Sequence, residues 1–141
     1  MNLINVMPDN FIKTAERMRD SSMVLHSKEH FHNACYLAGY VCECYLKVIV
    51  QNDPNLRRPR TFRHSITDMI YAITSATTIP AQFRPFILNL NVDCASLIAN
   101  WNPNNRYDDA SGWDQAKSNQ FQIEMEKCFD KVADMYISQI I

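Results

Sequence analysis

The longest apolar stretch of the chain, ACYLAGYVCECYLKVIV, runs from Ala34 to Val50 and contains only two charged residues. Its apolar residues recur every three to four positions, which is the spacing of an α-helix and not the alternation of a β-strand. Apolar side chains also occupy the other faces of this helix. It must therefore be surrounded by its own domain or form half of a dimer interface.

The rest of the chain shows the same helical periodicity, with only two glycines and no alternating strand pattern. We expect helices over 9–27, opened by Pro8 and Asp9, from 64 to about 75, over 81–101 and over 113–140, with Ser27 as the N-cap of the apolar helix. Residues 102–112 read as a turn-rich loop. The 141 residues suit a single all-α domain over 1–141, with the apolar helix at its centre.

Composition limits the classes of function. The formal net charge is −1, which gives no general attraction to nucleic acid or to acidic membranes, so any such binding needs a local patch. The start of the chain lacks the pattern of a signal peptide, and Glu43 and Lys47 interrupt the apolar run. The five cysteines include no CxxC pair and predict reduced, buried thiols. We therefore expect a cytoplasmic protein with no membrane contact.

The two charged residues of the apolar helix are Glu43 and Lys47, spaced four apart with the acid first, the favourable order for a helical ion pair. Tyr36 and Tyr40 precede them on roughly the same strip. The pair is either structural, at the rim of the core, or part of a polar groove or dimer contact. Gly39 predicts a notch at which another helix approaches closely.

The segment RRPRTFRH is the only dense positive patch, and it precedes a predicted helix start, a combination that favours phosphate. Phe62 supplies a ring that could stack on a base. His64 has the chemistry of a general acid or base, and Arg58 could hold a phosphate during RNA cleavage by 2′-OH attack. A solvated loop without a ligand is the alternative. The basic residues of the segment are Arg57, Arg58, Arg60, Arg63 and His64.

A second polar segment, WNPNNRYDD, contains Arg106 and Tyr107, which could clamp a phosphate or anchor the loop. His26, His30 and His32 cluster at the first helix junction, but His26 and His30 lie on either side of the expected Ser27 cap and would not share one helical face, so we expect no metal there. We also expect no cofactor. The chain has no glycine-rich phosphate loop, HExxH or GxSxG motif, which argues against a kinase, dehydrogenase or serine hydrolase.

Together these segments resemble the HEPN domain (higher eukaryotes and prokaryotes nucleotide-binding). The resemblance lies in an A-x-Y-x-A-x-x-x-x-E-x-x-L-K helix, an R-H-S-I helix start and an R-Y loop. The matching residues are Ala34, Tyr36, Ala38, Glu43, Leu46 and Lys47, then Arg63, His64, Ser65 and Ile66, then Arg106 and Tyr107.

The resemblance implies an up-and-down bundle of four to five helices, commonly a homodimer, with roles around nucleotides and RNA. Some members are metal-independent RNases of toxin–antitoxin or phage-defence systems, and others accompany a nucleotidyltransferase without cutting RNA. The RNases carry R-x4-6-H near a late helix. In this chain no histidine follows Arg106, and the spacing from Arg57 or Arg58 to His64 lies earlier in the chain than the family places it.

Three functions follow as expectations. The first is binding of a nucleotide or RNA phosphate by a homodimeric HEPN-like domain, through the contact residues Lys47, Arg57, Arg58, Arg63, His64, Arg106 and Tyr107. The second is a metal-independent endoribonuclease with His64 as acid or base and Arg58 on the phosphate. The third is a non-catalytic protein-interaction module, with a nucleotidyltransferase or other defence-system protein as its partner.

Overall fold

A computed structural model describes residues 9–141, so the predicted helix opening at Pro8 lies outside the described residues. Over that range the chain is helical and contains no β-strand, which confirms the predicted all-α class. Short 3-10 helices at Pro59–Phe62, Ala81–Phe86, Pro103–Tyr107 and Ala110–Gly112 connect longer elements. The α-helices of the described residues are α1 (Phe11–Ser27), α2 (Phe31–Gln51), α3 (Ile66–Ser75), α4 (Leu90–Asp93), α5 (Ala95–Asn100) and α6 (Gln115–Ile137).

Helix α2 is the central element, as its composition predicts. It packs against α1, α3 and α6, and every residue from Val41 to Val50 is buried. Because α1, α3 and α6 belong to the same chain, α2 obtains its cover within the domain. The two long helices that flank it place the described residues in a helical bundle.

The predicted N-cap of α2 at Ser27 is wrong. Ser27 is the last residue of α1, where its hydroxyl donates to the carbonyl of Val24, and His30 is the N-cap of α2. The chain turns at Glu29, which has a φ of 63°. The N–H of His30 donates to the carbonyl of Leu25, so the connection is a Schellman turn with glutamate in the position that glycine usually occupies.

The single helix predicted over 81–101 is also wrong, because the chain there forms a 3-10 helix followed by α4 and α5. Pro85 removes one helical N–H donor. The hydroxyl of Tyr45, a buried α2 residue, donates to the carbonyl of Phe86 and accepts from the N–H of Leu88. Those two backbone groups are therefore satisfied from the core and not by helical hydrogen bonds.

The last predicted helix is confirmed with a shorter extent, Gln115–Ile137. The side chain of Asp114 caps it by accepting from the N–H of Lys117. The carboxylate of Glu124, which is buried, accepts from the N–H of Leu97 and so caps α5. Within residues 9–141, no helix has the length and apolar character needed to cross a membrane.

Candidate functional site

A cleft of about 570 Å³ opens between the arginine-rich loop, the start of α3 and the end of α5. Basic, aromatic and polar side chains share it. Its floor and rim include Arg57, Phe62, Arg63, His64, Asp68, Ile98, Trp101 and Asn102. The cleft thus combines positive charge with an apolar surface.

His64 joins this cleft to the centre of α2. Its Nδ1 lies 2.8 Å from Oε1 of Glu43, and because a carboxylate only accepts, the imidazole donates from Nδ1. The side chain of His64 is 49% exposed, whereas that of Glu43 is 5% exposed. Nε2 of His64 has no hydrogen-bond partner among residues 9–141. It is the ring nitrogen available to a ligand.

The other oxygen of Glu43 accepts from the ammonium of Lys47 at 3.4 Å. Glu43 and Lys47 are 4% and 7% exposed, so the predicted place at the rim of the core is wrong: the pair is buried. The ammonium lies 5.7 Å from the ring centre of Phe11, which covers it from α1. The structure therefore places Lys47, one of the predicted phosphate contacts, against Glu43 and Phe11 and not on the cleft.

Tyr40 contacts two residues of the cleft, His64 and Trp101. Its ring meets the rings of His64 and Trp101 edge to face, with centroids 5.6 Å and 5.0 Å apart. Its hydroxyl lies 2.9 Å from that of Tyr36. Burial, helped by the hydrogen bond with Tyr36, raises the pKa of Tyr40 well above its ordinary value. Tyr40 is therefore a neutral phenol at physiological pH.

A turn with unusual backbone geometry positions His64. Arg63 has a φ of 52° and a ψ of −114°, and the N–H of Ser65 donates to the carbonyl of Phe62 at 3.0 Å. These values describe a type II′ turn, whose first central position normally holds glycine. Ser65 then caps α3 by accepting from the N–H of Asp68. The strained residue Arg63 thus directly precedes the histidine of the cleft.

Gly39 marks the notch that its place in mid-helix predicts, but the group that fills it is a side chain. A Cβ built on Gly39 would lie 2.1 Å from the indole of Trp101. Trp101 follows α5, and its Nε1 donates to the carbonyl of Tyr36. The expected approach of a neighbouring helix is therefore replaced by an indole that is held against α2 and lines the cleft.

The four arginines of the loop point to different surroundings. Arg57 lies over the ring of Phe62, 4.2 Å from its centre, and lines the cleft with Arg63. Arg58 is exposed and is not part of the cleft lining. Arg60 donates from two nitrogens to Asp9, each at 2.6 Å. This bond to Arg60 holds the pKa of Asp9 below its ordinary value.

Arg106 and Tyr107 lie on a neighbouring surface and do not line the cleft. The Arg106 guanidinium sits 4.7 Å from the ring centre of Tyr107, and Tyr107 and Tyr36 raise its pKa. Tyr36 in turn bonds Tyr40, whose ring contacts His64. The loop is anchored by Asn105, whose side chain accepts from the N–H of Asn102 and whose carbonyl contacts His32.

Trp101, Asp68 and Asn102 line the cleft without having been singled out as site residues in the sequence. The Ser65-x-x-Asp68 spacing is a recognisable helix start, but it does not show what the carboxylate faces. Among residues 9–141 no group of three His, Cys, Asp or Glu side chains could hold a metal ion. His26 of the histidine cluster bonds Ser118.

Comparisons with protein-family models, with curated proteins and with solved structures find no match to this chain.

Proposed function

We propose that this chain is a HEPN-like helical domain that binds the phosphate of a nucleotide or RNA in the cleft beside α3. The observation that carries the proposal is that Arg57, Arg63 and His64 line one cleft whose floor includes Phe62 and Trp101. Guanidinium groups match the geometry of phosphate oxygens, and aromatic side chains offer a surface for a base. The proposal includes a role in a toxin–antitoxin or phage-defence system, with a nucleotidyltransferase or another defence-system protein as partner.

The charge distribution supports the proposal. Neither guanidinium lining the cleft forms an ion pair with a residue of the range 9–141, whereas Arg60 is neutralised by Asp9 and Lys47 by Glu43. The chain as a whole has a net charge of −1. The two arginines of the cleft can therefore attract an anion without first breaking an ion pair within the protein.

The test compares two double variants that remove the same charge. Arg57→Gln/Arg63→Gln removes both guanidinium groups that line the cleft. Arg58→Gln/Arg84→Gln removes two exposed arginines outside the cleft. We expect the first to weaken binding of a labelled single-stranded RNA at least tenfold in fluorescence anisotropy and the second to change it little. Binding should also fall with added salt, because phosphate contacts release counterions. Equal losses in both variants would contradict the cleft as the site.

A second candidate, a metal-independent endoribonuclease, is favoured by one observation, the hydrogen bond between His64 Nδ1 and Glu43. A carboxylate that fixes one ring nitrogen leaves the other to move protons. In the proposed reaction, Nε2 takes the proton of a ribose 2′-hydroxyl, whose oxygen attacks phosphorus. The 5′-oxygen leaves and takes a proton from water or the imidazolium, which yields a 2′,3′-cyclic phosphate and a 5′-hydroxyl.

The two candidates separate in one assay with wild type, His64→Ala and the control His30→Ala, an exposed histidine whose side chain does not cap α2. The nuclease predicts cleavage of RNA in EDTA that His64→Ala abolishes and His30→Ala retains. Intact RNA at high protein concentration would overturn the nuclease and leave phosphate binding. If neither RNA nor any nucleotide binds, both proposals fail, and a protein-interaction module is the function that stays.

A further inference from the structure

We infer that the carboxylate of Asp68 binds the hydrogen-bond-donating edge of a base, and that the cleft therefore prefers guanine. This inference rests on the proposed binding of a nucleotide or RNA phosphate, and it adds which base the site selects. It starts from the presence of one carboxylate in a cleft that is otherwise positively charged.

Asp68 lies in the first turn of α3 and lines the cleft together with Arg57 and Arg63. Its backbone N–H bonds the hydroxyl of Ser65. Its carboxylate forms no ion pair or hydrogen bond with any residue from 9 to 141, and neither do the two guanidinium groups. The positive and negative groups of the cleft thus do not neutralise one another. A ligand that fits must therefore carry a negative group for the arginines and a hydrogen-bond donor for Asp68.

Asp68 is exposed at the rim of the cleft, and a phosphate placed directly beside its carboxylate would be repelled, because two negative charges would lie close together. The phosphate therefore belongs beside Arg57, Arg63 and His64. The part of the ligand that reaches Asp68 must donate hydrogen bonds. In a nucleotide that part is the base or the ribose, and the apolar floor that Ile98 and Trp101 contribute suits the flat base.

Among the bases, guanine fits a carboxylate best. Its N1–H and 2-amino group are two neighbouring parallel donors, which match the two oxygens of a carboxylate in a bidentate pair. Adenine and cytosine offer an amino donor beside a ring acceptor, and the N3–H of uracil lies between two carbonyls. In those three bases an acceptor would face the negative charge, which disfavours them.

The experiment measures the dissociation constants of GMP, IMP, AMP and dGMP for the wild type, Asp68→Asn and Asp130→Asn. The last variant removes the same charge from an exposed position of α6. We expect the wild type to bind GMP about tenfold more tightly than AMP, since one bidentate pair discriminates at this level. IMP, which lacks the amino group, should fall between them, and dGMP should equal GMP.

In Asp68→Asn the preference for GMP should disappear while AMP binds at least as well as before, and Asp130→Asn should behave as wild type. Equal binding of GMP and AMP by the wild type would overturn the inference and leave the proposed function intact. A dGMP affinity reduced to the level of AMP would overturn it as well, by assigning Asp68 to the ribose hydroxyls. No binding of any nucleotide or RNA would overturn both.

Discussion

Glu43 is a buried carboxylate that serves two partners of different exposure. Lys47 lies inside the domain with it, and His64 reaches the cleft. Removing one member of a buried ion pair leaves a charge with no partner in a medium that solvates it poorly, which destabilises far more than removing both. The residue that orients His64 is therefore also one on which the stability of α2 depends.

The first prediction follows from this pairing. Glu43→Gln leaves the Lys47 ammonium buried without its carboxylate, so we expect a loss of about 3–5 kcal/mol in the free energy of unfolding. The double variant Glu43→Gln/Lys47→Met removes both charges and should recover most of that loss. Urea unfolding of Glu43→Gln, Lys47→Met and the double variant, with the wild type, forms a double-mutant cycle. A double variant as unstable as the sum of the singles would show that the two residues are not coupled.

The second prediction concerns the backbone at Arg63. A non-glycine residue at a φ of 52° is strained, so Arg63→Gly should raise the free energy of unfolding by roughly 1 kcal/mol once the greater freedom of glycine in the unfolded chain is deducted. The same variant removes a guanidinium from the cleft and should weaken RNA binding.

The matched control for Arg63→Gly is Arg58→Gly, on the same loop but with a φ of −58°. It should lower stability slightly, because glycine there gains freedom in the unfolded chain without relieving strain. Thermal melts of both variants check the signs. A less stable Arg63→Gly would mean that the turn is not strained.

At the scale of elements, the sequence predicts the long helices well and the region after α3 poorly. Helices α1, α2 and α6 each have enough turns to show their period, so periodicity locates them. The region 81–101 has apolar spacing compatible with a helix, but a distant side chain decides its conformation. The Tyr45 hydroxyl satisfies the backbone at Phe86 and Leu88, a tertiary contact that no local pattern contains.

The candidate site divides in the same way. Charge density identifies the arginine loop and His64, yet Arg57, Arg58, Arg60 and Arg63 are equivalent by composition. The directions in which these side chains point depend on the 3-10 helix of the loop and on Asp9, near the start of the described residues, which accepts hydrogen bonds from Arg60. The Lys47 ammonium, which is paired with Glu43, lies over the ring of Phe11 in α1, a contact that the spacing of α2 alone cannot reveal.

The third prediction tests the contact that joins α2 to the cleft. A methyl group on Gly39 would overlap the Trp101 indole, so Gly39→Ala should lower the free energy of unfolding by about 1–3 kcal/mol despite the better helix propensity of alanine. Displacement of the indole should also weaken nucleotide binding. Gly112→Ala is the control, since a Cβ built on Gly112 would have no contact within 4 Å. Equal stability of Gly39→Ala and wild type would show that Trp101 can move aside freely.

At the scale of the whole molecule, all five cysteines are buried free thiols, as their positions on apolar helical faces predict. Burial raises the pKa of Cys35 to about 11 and that of Cys44 to about 12, from an ordinary value of 9.0. The folded domain therefore keeps these thiols protonated at a pH at which the unfolded chain has begun to release their protons.

The fourth prediction is the pH dependence that results. Above pH 9 the unfolded chain binds fewer protons than the folded one, so stability should fall as pH rises, by on the order of 2 kcal/mol for a buried thiol near pH 11. Urea unfolding between pH 7 and the alkaline range measures the slope, and Cys44→Ala should reduce it. Native protein should also resist a maleimide that reacts rapidly in urea. Rapid native labelling would contradict the burial of the thiols.

The fifth prediction is a homodimer, and the fold limits where its interface can lie. Helix α2 is fully buried from Val41 to Val50, so a dimer seam along that half of the helix would require the domain to open. A stable interface buries on the order of 1,200 Å² or more, and exposed apolar side chains such as Val24, Val92 and Ile137 are available for it elsewhere.

Light scattering at micromolar concentration should give twice the 16.4 kDa of one chain, and the melting temperature should rise with protein concentration, because association stabilises the folded state by mass action. Since α2 is covered within each chain, dilution should dissociate the dimer without unfolding it, and the maleimide resistance of the α2 thiols should persist in the monomer. A mass of 16.4 kDa at every concentration would contradict the dimer. Loss of helical signal together with dissociation would instead show that α2 needs the second chain for its burial.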